Sequence, residues 1–153
     1  MSISRRKFMK SITSGAAYLT LMASLPKLVW AGWNKAAFES DSYETALANR
    51  YPGMAIEDST AVTLKAPEIA ENGSVVSVQV KTKLPDVKSI SLFVKKNPTA
   101  LSASFHIGEG MNADIKVRIR FGETSELVAI VEAGGKLHRV EKLVKVTIGG
   151  CGG

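Results

Sequence analysis

The chain has 153 residues, 45% hydrophobic and 22% charged, the balance of one ordinary globular domain and not of a disordered, collagen-like or acidic-tail sequence. Its single cysteine excludes an internal disulfide and any Cys-rich zinc or iron–sulfur site, and two histidines, His106 and His138, leave little material for a metal centre. The formal charge of +6 points first to nucleic acid, but its distribution removes that reading: residues 1–31 hold five of the 20 basic residues and none of the 14 acidic ones, so the rest is nearly neutral.

The first 31 residues read as a targeting segment. Ser4-Arg5-Arg6-Lys7-Phe8-Met9-Lys10 resembles the twin-arginine signal that exports folded bacterial proteins, with Met9 in place of a common Leu. An uncharged stretch from Ser11 to Pro26 follows, and Val29-Trp30-Ala31 offers small residues at a cleavage site. The stretch is short and holds Ser, Thr, Gly and Pro, which argues against an uncleaved membrane anchor. The expected division is a signal peptide over 1–31, a working domain over 32–148 and a terminal arm over 149–153. The mature protein is expected in the periplasm, free of the membrane once the signal is removed. A domain of this size buries about two-thirds of its unfolded surface, enough for one core without disulfides.

In the mature chain a helix is predicted over Trp33–Arg50, with Ser40 or Asp41 as a cap, Glu44 three residues after Asp41, and Tyr51-Pro52-Gly53 as its stop. From Ser59 the hydrophobic period becomes two. Thr60–Ala66 makes a short strand ended by Pro67, and Glu71-Asn72-Gly73 a turn. Val76, Val78, Val80, Thr82 and Leu84 share one face of the next strand, which turns at Pro85-Asp86. Ile90, Leu92 and Val94 line a third, interrupted by Lys95-Lys96-Asn97-Pro98. Leu101, Ala103, Phe105 and Ile107 define a fourth, stopped by Gly108-Glu109-Gly110, and Ile115, Val117, Ile119 and Phe121 a fifth, ending at Gly122. Leu127–Val131, the Gly134-Gly135 hairpin and Leu137–Ile148 complete the pattern. About seven short strands with turn signals between them predict an all-β chain, an immunoglobulin-like antiparallel sandwich preceded by a helix.

The chemistry concentrates at the C-terminus, where Cys151 stands between Gly149-Gly150 and Gly152-Gly153. Glycine lacks Cβ, so it frees the backbone and narrows the chain to its minimum width. Five residues extend about 17 Å at roughly 3.3–3.6 Å each. The result is a thin, flexible tether with one thiol near its tip, suited to a narrow channel that a bulky flank would jam. A thiol with nothing around it keeps a pKa of about 8.5, so only a few per cent is thiolate at neutral pH. Such a cysteine needs a partner's active site to activate it, as a carrier does and an enzyme does not. A lone thiol in an oxidising compartment is a liability unless it is used.

Gly149-Gly150-Cys151-Gly152-Gly153, preceded by Val144-Lys145-Val146-Thr147-Ile148, resembles the terminus of the SoxY family, the sulfur carriers of the bacterial thiosulfate-oxidising (Sox) system. Ala66-Pro67-Glu68-Ile69-Ala70-Glu71-Asn72-Gly73, the Lys96-Asn97-Pro98 turn and the twin-arginine leader agree with it. The resemblance implies that Cys151 bonds covalently to the sulfane sulfur of thiosulfate, with no cofactor beyond that adduct. It implies a heterodimer with a SoxZ-like subunit, and visits by the c-type cytochrome SoxAX, the hydrolase SoxB and, in some systems, the sulfur dehydrogenase SoxCD.

The remaining candidates have plainer readings. Lys116, Arg118 and Arg120 alternate with Ile115, Val117 and Ile119, a stripe that would guide anions or dock an acidic partner but that more often is the solvated face of an outer strand. His106 and His138 have no carboxylate or second ligand at metal spacing and read as structural. There is no Cys-x-x-Cys-His for covalent haem and no Gly-rich loop opening a helix for a nucleotide. Trp33, Phe38 and Tyr43 at helical spacing read as a packing face. Two rivals to the carrier stand: a thiol enzyme, which needs a pocket and a base around Cys151, and an exported interaction module whose tail cysteine forms an intermolecular disulfide.

Overall fold

The computed structural model describes residues 34–147. It opens with two short helices, α1 (Lys35–Phe38) and α2 (Tyr43–Arg50), where the sequence predicts one. The break has a local cause. The Ser40 hydroxyl donates to the Ala36 carbonyl at 2.6 Å and accepts from the Asn49 side-chain amide at 3.0 Å, so it closes α1 instead of opening α2. Neither Ser40 nor Asp41 is the cap; Ser42 is, accepting from the Thr45 backbone N–H at 3.2 Å. The helix ends at Tyr51 as expected, with Gly53 at φ 69° leading the chain away.

Nine strands follow: β1 (Ile56–Asp58), β2 (Val62–Lys65), β3 (Ile69–Ala70), β4 (Val76–Thr82), β5 (Val87–Val94), β6 (Leu101–His106), β7 (Asp114–Ile119), β8 (Ser125–Ala133) and β9 (Lys136–Val146). The larger sheet runs β1-β9-β8-β5-β6 and the smaller β2-β4-β7. The seven long strands are those predicted and pair antiparallel. The two that the pattern does not reveal, β1 and β3, both lie parallel to β9 on its outer side. Gly134 and Gly135, at φ 56° and 77°, form the tight hairpin between β8 and β9 that only residues tolerant of positive φ accept readily.

The two sheets enclose the main core. Val76, Val78 and Val80 of β4 meet Ile90, Leu92 and Val94 of β5, Leu127, Ala129 and Val131 of β8 and Val144 of β9. The alternation in β4 survives intact, valines in and Ser77 and Lys81 out. β5 and β8 are buried on both faces, because the helices cover the outer face of the larger sheet. Tyr43, Ala46 and Tyr51 pack there on Phe93, Val128 and Ile130, with the Tyr43 and Phe93 rings edge-on at 5.5 Å. The aromatic packing face thus holds for Tyr43, and Phe38 is half-buried beside it; Trp33 lies outside the described residues. Among those residues no helix is long and apolar enough to cross a membrane.

Candidate functional site

The arm residues Gly149, Gly150, Cys151, Gly152 and Gly153 lie outside the described residues, and the structure defines the base from which they depart. β9 carries the chain there along the full length of the larger sheet. Val144 is buried between the sheets and Val146 is half-buried, while Leu143 and Lys145 face outward. β8 pairs with β9 as far as Ser125 and Val144. Beyond that the Thr124 hydroxyl continues the ladder, accepting from the Val146 N–H at 2.9 Å. On the other side β3 holds the same stretch. The Lys145 N–H donates to the Glu68 carbonyl at 2.9 Å and the Thr147 N–H to that of Ala70 at 3.1 Å. The last turn of β9 is therefore hydrogen-bonded on both sides, and its backbone groups are satisfied up to the point of departure.

Gly73 packs beneath this strand end. A Cβ at residue 73 would stand 2.6 Å from the Phe121 carbonyl oxygen and 2.8 Å from Val146 Cγ1, and the Phe121 N–H donates to the Gly73 carbonyl at 2.7 Å. Asn97 braces the same loop: its amide donates to the Arg120 carbonyl at 2.7 Å and accepts from the Gly122 N–H at 2.9 Å. Next to it the Lys96 N–H donates to the buried Ser125 hydroxyl at 3.0 Å. Segments 66–73, 96–98 and 144–147, far apart in the chain, thus meet at one end of the sandwich around the base of the arm. From Thr147 to Cys151 is four residues, a reach of about 13–14 Å when extended.

The other candidates lie elsewhere. His106 is exposed at the far end of β6, opposite Ser89. His138 has a carboxylate neighbour from a strand distant in sequence: its Nδ1 lies 3.3 Å from Glu57 Oε1, and Lys136 Nζ is 3.3 Å from the other oxygen of the same carboxylate. The partner comes from β1, a strand that the hydrophobic pattern does not show. One histidine and one carboxylate make no metal centre, and among the described residues no group of three or more potential ligands gathers. His138 also precedes Val146 by eight residues of extended strand, about 26 Å. Lys116 and Arg118 stand exposed on the outside of β7, an outer strand of the smaller sheet, and Arg120 is exposed just past its end. An open hollow of about 660 Å³, lined among others by Lys83, Asp86, Lys88 and Met111, sits at the end of the sandwich away from the β9 terminus.

Ion pairs pin the outer edge of the larger sheet. Arg139 grips Asp58 with Nε to Oδ1 at 2.7 Å and Nη2 to Oδ2 at 3.1 Å. That hydrogen bond holds the Asp58 carboxyl below its ordinary range. Gln79 and Lys81, at 2.6 and 3.1 Å from the Asp114 carboxylate, depress it in the same way. Burial pushes the Tyr43 hydroxyl up, with the nearby Arg139 guanidinium opposing.

These features define an immunoglobulin-like β-sandwich whose last strand is clamped at its end and continues into a short glycine-rich arm. A family model, sulfur oxidation protein SoxY, matches residues 48–151. The chain belongs to the SoxY family. It is similar to the solved sulfur carrier protein SoxY from Chlorobium limicola f thiosulfatophilum, at 42% identity over 70% of this chain and 97% of that one, with a TM-score of 0.64. A chain from a structure of T cell specificity and activation by toxic shock syndrome toxin-1 matches at 10% identity over 56% of this chain and 99% of that one. Its TM-score of 0.41 carries no argument. No curated protein matches the chain.

Proposed function

We propose that this member of the sulfur-carrier family works in the periplasm, after export by the twin-arginine pathway, as the covalent carrier of thiosulfate oxidation. The observation that carries the reading is the clamped end of β9. A swinging arm needs a fixed pivot, and here the strand is held through Thr147 while four glycines surround the thiol beyond it. Family membership supports the same conclusion. The protein is a carrier and not itself an enzyme: Cys151 supplies the attachment point, and Gly149, Gly150, Gly152 and Gly153 let it enter successive active sites.

The chemistry balances without a resident cofactor. The Cys151 thiol and thiosulfate join through a new S–S bond with loss of one proton and two electrons, which a c-type cytochrome of the SoxAX kind accepts. Water then attacks the outer sulfone on a SoxB-type hydrolase. The bond between the sulfane sulfur and the sulfone breaks while the new bond to Cys151 stays, sulfate and a proton leave, and a persulfide remains on Cys151. A SoxCD-type dehydrogenase, where present, oxidises that sulfur further. A SoxZ-like subunit completes the working heterodimer.

Intact mass of the protein from thiosulfate-oxidising cells, before and after reductant, tests this. Reductant-labile adducts of sulfur or thiosulfate mass on the Cys151 peptide are expected. A bare thiol, or only a disulfide-linked dimer, would overturn the carrier in favour of an interaction module.

A further inference from the structure

The outer face of the smaller sheet carries a charge pattern that the rest of the molecule does not share. The side chains pointing away from the core are Thr63 and Lys65 on β2, Ser77, Gln79 and Lys81 on β4, and Asp114, Lys116 and Arg118 on β7, with Lys83 and Arg120 continuing the same alternation. That is six cations and one acid, all exposed. The chain beyond residue 31 is nearly neutral, so the remainder of it is net acidic, nine basic residues against 13 acidic. Lys81 pairs with Asp114 at 3.1 Å. Among the described residues no carboxylate comes within ion-pair distance of Lys65, Lys83, Lys116, Arg118 or Arg120.

The register shows how the sheet tolerates this. Gln79 stands between Lys65 and Lys116, Lys81 stands between Thr63 and Asp114, and Arg118 faces Ser77. No two cations are direct cross-strand neighbours, the arrangement that would destabilise the sheet. A solvated face chosen only for solubility mixes both signs; this one holds a single acid, Asp114, against six spaced cations. Apart from the exposed Val75 just before β4, the face holds no large apolar side chain, so it does not suit a permanent subunit interface, which resembles a core cut in half. A charged, wet surface suits an encounter that must form fast and dissolve after each visit. It also ends at the right place, because Arg120 closes the face and its carbonyl is held by Asn97 in the loop that packs, through Phe121 and Gly73, on the base of the arm.

We infer that the outer face of β2-β4-β7 is the docking surface for an acidic patch on the enzymes that visit the arm, an inference that rests on the carrier reading. A partner seated on it lies beside the end of the sandwich from which Cys151 departs.

The test is the triple variant Lys116→Glu, Arg118→Glu and Arg120→Glu of the mature chain, paired with its partner subunit. Cytochrome reduction with thiosulfate is followed against carrier concentration at several ionic strengths. The expected result is a KM for the carrier raised about tenfold or more at low salt with kcat unchanged, the difference vanishing at high salt. The parallel Lys116→Gln, Arg118→Gln and Arg120→Gln variant, with a smaller KM rise expected, keeps the test readable if charge reversal impairs folding. Unchanged KM and salt dependence overturn the inference. So does loss of subunit pairing in the variant, or loss of binding to phosphatidylglycerol vesicles with KM unaltered. Failure of the carrier reading is distinguished by Cys151→Ser: turnover that persists without the thiol sinks that reading, whatever the triple variant does.

Discussion

Gly73 stands so close to Val146 that a single added carbon would meet its side chain at 2.8 Å and the Phe121 carbonyl at 2.6 Å. The contact joins the turn after β3 to the last residue of β9, and through it to the root of the arm. Backbone oxygen cannot yield as a side-chain tip does. Gly73→Ala should therefore destabilise the fold by about 1–3 kcal/mol and lengthen the Phe121–Gly73 hydrogen bond. Urea unfolding reads the first effect, and faster amide exchange at Phe121, Val146 and Thr147 reads the second. An unaltered midpoint would mean that the 121–122 loop moves aside freely.

A second relationship holds the helices to the sheet. The buried Tyr51 hydroxyl sits 3.1 Å from the Ser89 hydroxyl and 2.8 Å from that of Ser91. Ser89 in turn donates to Glu132 at 2.7 Å, and Ser91 shares a hydrogen bond with Ser104 at 2.9 Å. Tyr51→Phe keeps the ring, over which the Arg50 guanidinium lies at 4.5 Å, and removes only the link between the two serines. Because each serine keeps one partner, the expected cost is about 1–1.5 kcal/mol, against about 3–5 kcal/mol for loss of a whole buried aromatic side chain. Equilibrium unfolding of the two variants, Tyr51→Phe and Tyr51→Ala, separates network from packing.

Acid should loosen the edge where β1 meets β9. The Arg139 hydrogen bond keeps the Asp58 carboxyl below its ordinary value of 3.8 in the folded chain. The folded pKa is depressed, so the stabilisation is complete above the unfolded pKa and is lost as pH falls through the folded one. Stability should thus decline as pH drops below about 4, and Asp58→Asn should flatten that decline and lower neutral-pH stability by the same amount, a small one since the pair is exposed. Unfolding free energy measured from neutral pH downward checks the slope; an identical slope in the variant would assign the acid sensitivity to other groups such as Asp114.

The residues differ in how much of this they disclose by themselves. In β4 and β7 one face meets the core and the other meets water, so alternation appears directly in Val76-Ser77-Val78 and Val117-Arg118-Ile119. β1 and β3 are three and two residues long and pair parallel with residues 81 and 76 positions further along the chain, so no local period marks them. The helix break depends on where one hydroxyl, that of Ser40, finds its acceptor. The thiol and its glycines are evident from covalent sequence alone. The clamp beneath them is not, because Gly73, Thr124 and Val146 converge only when both sheets have formed.

The arm itself gives the sharpest prediction. If the glycines exist to let a bare thiol pass through narrow channels, then adding β-branched bulk on both sides of Cys151 should hinder delivery without altering the domain. Gly150→Val with Gly152→Val is expected to lower thiosulfate turnover in the reconstituted system by about tenfold or more, equivalent to about 1.4 kcal/mol of barrier. The reaction of Cys151 with a small disulfide reagent free in solution should stay the same, since that encounter involves no channel. Cys151→Ser sets the floor, with turnover abolished and folding and pairing intact. Full turnover in the double-valine variant would show that the active sites are wide and that the glycines serve only mobility. A matching loss of reagent reactivity would show that the substitutions had shielded the thiol itself.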